Sequence, residues 1–138
     1  MTGQIRATFA ALVLAQAAHS TEEYLGRLWE ALLPAEIVSL VFSSNPQRGF
    51  LMANVAIVAF GVWCAVWPVG RGWSVAPALL WGWVAVEVAN GVLHPVVALV
   101  MQRYVAGVLT APLLLLVALR LAYILRQRSD REPDPKRV

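Results

Sequence analysis

His19-Ser20-Thr21-Glu22-Glu23 closes an apolar run that extends over residues 4–26. On a helix, His19, Glu22 and Glu23 stand at i, i+3 and i+4 and share one face. Charged groups at membrane depth cost several kcal/mol, and they persist mainly where they pair, bind an ion or do chemistry. The fold turns on whether this run is a span or a soluble helix. Of the 138 residues, 59% are hydrophobic and 14% are charged, and mean hydropathy is +0.66. A soluble domain carries about 25% charged residues. Composition therefore points to a polytopic membrane protein, with one helical domain over residues 1–128.

A span needs about 20 mostly apolar residues. Four runs qualify: residues 4–26, 50–67, 73 or 75–99, and 104–125. Pro68, Gly70 and Gly72 are expected to break the chain after the second run, Pro95 to allow a kink in the third and Pro112 to bend the fourth. Residues 28–49 differ. Their apolar stretch, 32–42, is too short to span, carries Pro34, Glu36 and Ser39, and ends in Ser43-Ser44-Asn45-Pro46. An interfacial or re-entrant helix fits, either as a connection lying on headgroups or as a lid over the mouth of the bundle. The expected fold is thus all-α: a polytopic membrane four-helix bundle with that interfacial or re-entrant segment between helices 1 and 2. Residues 129–138 are polar and Pro-containing, and are expected to form a disordered basic C-terminal tail.

The net charge of +3 is mostly that of this tail, where Arg126, Arg128, Arg131, Lys136 and Arg137 oppose Asp130, Glu132 and Asp134. Beside a membrane helix this is a topology signal, and no nucleic-acid module is present. It places the C-terminus in the cytoplasm. Four spans then put the N-terminus and Arg71 on the same side, with Arg27, Arg48 and Arg103 opposite and Arg120 snorkelling. Trp29, Trp67 and Trp73 fall near span ends, as an interfacial belt requires. The first run reads as a retained span, because His19, Glu22 and Glu23 follow its core without a clear cleavage site. The single Cys64 excludes an intrachain disulfide. Gly61, Ala65 and Gly82 would serve a homo-oligomer or intrachain packing equally well.

The third run holds Glu87, Asn90 and His94 at i, i+3 and i+7, again one face. Asn54 falls in the first turns of the second run, and Tyr104 and Thr110 fall early in the fourth. Alternating helix direction brings all these groups into the non-cytoplasmic half of the bilayer, in one polar chamber. His19 to Glu23 spans about 6 Å of helix and Glu87 to His94 about 10 Å, so two facing helices can aim them at a common point. The candidate catalytic or metal-ligating residues are His19, Glu22, Glu23, Glu87 and His94. Asn54, Asn90, Tyr104 and Thr110 are candidates for contact with substrate or support of the first set. Glu22 and Glu23 project about 100° apart, and spacing favours neither as the inward partner of His19.

Three chemistries fit these groups. In the first, His19, Glu22 or Glu23, Glu87 and His94 bind a divalent transition metal, zinc or iron. The spacing is related to that of carboxylate-bridged di-metal bundles, but the order is His-x-x-Glu and the ligands are few for two metals. In the second, carboxylates and imidazoles perform metal-free acid/base chemistry, such as isomerisation, hydration or hydrolysis of a lipid- or isoprenoid-like molecule. In the third, His–Glu pairs lock helices, relay protons, or serve a transporter or lipid-binding protein. Haem ligation by His19 and His94 would leave the glutamates without a purpose. Taken singly, His19 fits a satisfied interfacial histidine, Asn90 a cross-helix hydrogen bond, and Asn54 and Thr110 helix packing. The partners expected are membrane lipid and a hydrophobic small molecule.

The His19-Ser20-Thr21-Glu22-Glu23 motif resembles that of the HXXEE family of small bacterial membrane proteins. Glu87-Val88-Ala89-Asn90-Gly91-Val92-Leu93-His94 and Tyr104-Val105-Ala106-Gly107-Val108-Leu109-Thr110-Ala111-Pro112 are similar to that family's later helices. The resemblance covers about residues 9–116. It implies functional roles for His19, Glu22 and Glu23 and a place in a bacterial inner membrane, and it supplies neither substrate nor reaction.

Overall fold

Thr2 opens the first helix: its hydroxyl accepts from the Ile5 amide at 3.4 Å, satisfying one of the unpaired first-turn donors. Helix α1 then runs over Gly3–Leu25, in a computed structural model that describes residues 1–129. Its buried residues include Ile5, Phe9, Leu12, Gln16 and His19, recurring every three or four positions, so one continuous stripe enters the core. The helix stops at Gly26, where a Cβ would collide with Ala106, and Arg27, at φ 54°, turns the chain. Two short helices follow, α2 (Leu28–Ala31) and α3 (Leu33–Phe42). Asn45 caps α4 (Pro46–Cys64), its side chain accepting from the Arg48 amide at 3.0 Å. Helix α5 is Ala76–Met101 and α6 is Ala111–Ser129.

Helix α1 packs on α4 and α6, and α5 packs on α6. Trp83 of α5 reaches back to stack on Phe60 of α4, which leaves α1 and α5 facing across the middle. Arg128, near the end of α6, contacts the Met1 sulfur at 3.1 Å, so α1 begins where α6 ends. The half of the bundle near these ends is apolar, built on Ile5, Phe9, Leu12, Leu80, Leu114 and Leu121. A second cluster, Leu28, Trp29, Phe50, Val105 and Ala106, closes the opposite end.

The all-α expectation agrees with the structure: among the described residues there is no strand. Two helical segments, Pro46–Val69 and Ala76–Met101, are long and apolar enough to cross a membrane by length and composition. The runs containing α1 and α6, also expected as spans, do not meet that measure; α1 carries Arg6, Gln16 and the motif, and α6 carries Arg120, Arg126 and Arg128. Three boundaries also differ. Pro68 does not end the second long helix but sits in a wide π turn, Ala65–Val69, that continues α4, and the chain turns at Gly72 (φ 69°). Helix α5 continues through Pro95, as expected of the third run. Pro112 bends nothing, because α6 starts only at Ala111 and a first-turn proline sacrifices no helical hydrogen bond. Residues 104–110, expected as the start of a helix, are turns and irregular chain. The expected tail, residues 129–138, lies outside the described residues from 130 onward.

Helix α3 occupies the place of the expected interfacial segment. It packs on α4, where a Cβ at Gly49 would collide with the Ser39 carbonyl, and leaves Leu33, Ile37, Leu40 and Val41 exposed.

Candidate functional site

Helices α1 and α5 meet in two polar layers. In one, Gln16 faces Glu87; in the other, Glu23 faces His94. Both pairings have the same offset between the helices, so α1 and α5 run in parallel, and the layers lie about 10 Å apart along the axis.

In the outer layer, Glu23 Oε1 lies 3.1 Å from His94 Nε2 and 3.4 Å from His19 Nε2. The two imidazoles meet edge to face, with centroids 4.7 Å apart at 88°. His19 is fully buried, His94 is 8% exposed, and Glu23 is partly buried. One ligand atom from each of the three residues falls within 4.8 Å of the others. Gly107 seals this layer: at φ 98° it presses on both rings, and a Cβ there would lie 2.5 Å from His94 Nδ1 and 2.8 Å from His19 Cε1.

Glu22 points elsewhere. One of its carboxylate oxygens accepts from the Tyr104 hydroxyl at 2.8 Å and the Leu109 amide at 3.1 Å. The other accepts from the Thr110 amide at 2.9 Å and the Thr110 hydroxyl at 2.6 Å. Glu22 thus pins residues 104–110 against α1 at the positive end of α6. Tyr104, outside the helices, has its phenol pushed above the ordinary value by burial and then by this carboxylate.

The Glu22–Thr110 bond fixes a proton on His19. A hydroxyl has one hydrogen, and the short contact commits that of Thr110 to Glu22. Thr110 Oγ1 must then accept from His19 Nδ1, 2.8 Å away. A neutral His19 carries its proton on Nδ1 and turns a bare lone pair at Nε2 toward Glu23. Among the described residues, neither His19 Nε2 nor His94 Nδ1 has a hydrogen-bond partner. Two electron-rich atoms, His19 Nε2 and Glu23 Oε1, therefore face each other at 3.4 Å.

The donor set fits zinc or ferrous iron: two imidazoles and one carboxylate, with the second nitrogen of one imidazole held by a hydroxyl. Bonds of about 2.0–2.1 Å in a tetrahedron set donors about 3.3 Å apart, close to the observed 3.1 and 3.4 Å. The set is narrower than the sequence expectation: Glu22 and Glu87 stand outside it.

Glu87 occupies the inner layer and is fully buried. Asn90 donates to its Oε2 at 3.4 Å. The Gln16 amide, oriented with its nitrogen toward Glu87, donates to both oxygens at 2.9 and 3.1 Å and accepts from the Ser20 hydroxyl at 3.0 Å. Asn54 donates to the Phe50 carbonyl at 3.0 Å and reaches neither layer by a hydrogen bond. A cavity of about 350 Å³ lies beside these groups; its lining includes Gln16, Glu23, Asn54 and Asn90, with Pro34, Ala35 and Val38 of α3 on one wall. Sequence reasoning passed over Gln16 and Ser20 as site residues. The signal was available, because Gln16, His19, Ser20 and Glu23 lie on one helical stripe.

No curated protein and no solved structure matches the chain. Residues 10–121, most of its length and both polar layers, match a family described as "Protein of unknown function with HXXEE motif", so the chain belongs to the HXXEE family.

Proposed function

We propose that the chain is a membrane-embedded, metal-dependent enzyme acting on the polar group of a hydrophobic, lipid- or isoprenoid-like small molecule. The observation that carries this reading is the unpartnered His19 Nε2 facing Glu23, in a buried layer shared with His94. With His19 neutral, such an arrangement leaves polar atoms unsatisfied at a cost of about 1–3 kcal/mol each; a metal ion joining them, or a second proton on His19, removes it. The membrane setting is supported by two apolar helices of spanning length and by exposed apolar side chains along the bundle, among them Val55, Val62, Val92, Leu99 and Leu116. In this reading α1, α4, α5 and α6 all cross, α1 shielding its polar stripe inside. Arg126 and Arg128 set the end of α6 in the cytoplasm, together with the start of α1. The polar layers then lie toward the far side, beneath α3.

His19, Glu23 and His94 hold the metal, zinc or iron. When bound, it supplies a polarised substrate oxygen or an acidified water. Glu22, through Thr110, keeps the His19 lone pair aimed at the site. Glu87 sits behind Gln16 and Asn90, which line the same cavity, and holds or takes a proton through them. Apolar packing below Glu87 excludes water from that side.

The test is elemental analysis of detergent-purified protein, after zinc loading and dialysis, beside two variants. Equimolar metal is expected in the wild type and in Glu87→Gln, and none in His19→Ala. Absence of metal from the wild type, or equal retention by His19→Ala, would refute the metal reading. With metal bound, Glu87→Gln is expected to retain its helicity and lose turnover.

A further inference from the structure

The cavity beside Glu23 does not end at the polar layers. A second cavity of about 200 Å³ lies along the same seam between α4 and α5, and Ile57 and Val86 line both. The two spaces form a track with opposite characters at its ends. One end presents Glu23, Asn54 and Asn90; the other is wholly apolar, walled by Phe60, Leu79, Gly82 and Trp83. From Asn90 back to Leu79 on α5 the track runs about 16 Å. Phe60 and Trp83 stack with centroids 6.1 Å apart at 18°, giving it a flat aromatic side. Gly82 leaves it unobstructed: a Cβ there would meet nothing within 4 Å.

A polar space beside Glu23, adjoined by an apolar slot, selects for molecular shape. We infer that the substrate is a single-chain amphiphile whose unbranched or isoprenoid tail lies in the α4–α5 seam, over Ile57, Val86 and Gly82. Its oxygen-bearing head reaches Glu23 and the two imidazoles. This rests on the proposed function and deepens it by naming the substrate class. A compact polycyclic molecule would fill the wider head cavity and leave the slot empty. A two-chain phospholipid would leave one chain unaccommodated. Entry is lateral, between α4 and α5, where Phe60 and Val86 are both 44% exposed.

The probe is a long-chain fatty acid carrying a diazirine at its terminal carbon, applied to zinc-loaded protein in detergent micelles, with cross-links mapped by mass spectrometry. Labelling is expected at Phe60, Leu79 or Trp83. Gly82→Phe starts from a Cβ position with no neighbour within 4 Å and puts its ring into the slot, and should lower that labelling about tenfold. Its zinc content should stay at the wild-type level. Seam labelling that survives Gly82→Phe, or labelling no stronger than on the outer face of α6 at Leu113 and Leu116, would overturn the inference. The two readings fail separately. Zinc bound with an unlabelled seam removes the tail assignment alone; a labelled seam in protein that binds no zinc removes the metal assignment alone.

Discussion

Replacing Thr110 with valine removes one hydroxyl and almost no volume, and it tests the proton placement on which the proposed metal site depends. The hydroxyl sits between Glu22 Oε2 at 2.6 Å and His19 Nδ1 at 2.8 Å. Its loss leaves Glu22 with the Leu109 and Thr110 amides and Tyr104, so the loop remains held. His19 Nδ1 loses its acceptor. The imidazole is fully buried, and an unpaired N–H there costs about 1–3 kcal/mol. Two responses relieve that cost: the ring rotates, or the proton moves to Nε2. Each removes the lone pair from the metal position. Zinc affinity should therefore fall by about 10–100-fold, the usual effect of losing the partner of a metal-binding histidine, equivalent to about 1.4–2.7 kcal/mol. Competition with a chromophoric chelator in detergent measures it. Thr110→Ser restores the hydroxyl and should recover most of the affinity, which separates the proton relay from general damage to the loop. If Thr110→Val binds zinc as tightly as the wild type while His19→Ala binds none, the relay has no part in the site.

Gly107→Ala should be costlier to the fold. The residue adopts φ 98°, which penalises any Cβ by about 1–2 kcal/mol, and the added methyl meets both imidazoles. A total loss of about 2–5 kcal/mol, with zinc occupancy reduced, is expected in denaturant titrations; stability within about 0.5 kcal/mol of wild type would refute the packing. Gly49→Ala drives a methyl into the Ser39 carbonyl and should lift α3 from α4. Limited proteolysis should then cleave within residues 28–45 faster, while zinc content is unchanged. Equal protection in both proteins would show that α3 is not held by this contact.

The all-α class and the polar stripes were legible because they follow from local periodicity. Glu87, Asn90 and His94 repeat along α5 as Gln16, His19 and Glu23 do along α1, and helical phase alone puts each set on one face. The chain from Tyr104 to Thr110 was not legible. It looks like the apolar start of a helix, yet Glu22 takes the Leu109 and Thr110 amides and Gly107 adopts a left-handed turn. The deciding contacts come from residues more than 80 positions away, beyond any local pattern. Pro68 misled for a different reason. Proline forbids an ordinary helical hydrogen bond, but a π turn can accommodate it within a continuing helix.

The choice between Glu22 and Glu23 shows why the motif carries two adjacent acids. Side chains one residue apart diverge by about 100°, so a single site cannot use both from one helix turn. Glu23, at i+4, lies beneath His19 and joins it in the outer layer. Glu22, at i+3, faces α6, where the loop before that helix offers two amides and two hydroxyls. Glu22 returns to the same histidine through Thr110, from the opposite side of the ring. The two acids thus bracket His19: one fixes Nδ1 and the other faces Nε2. Exchanging either for glutamine has different consequences. Glutamine at 23 puts a neutral amide where the proposed metal would need an anion. Glutamine at 22 still accepts with its oxygen, but its NH₂ confronts a donor on the loop. A site that needs one bound imidazole nitrogen and one bare one explains both carboxylates at this spacing, whereas a plain helix-locking ion pair would need only one.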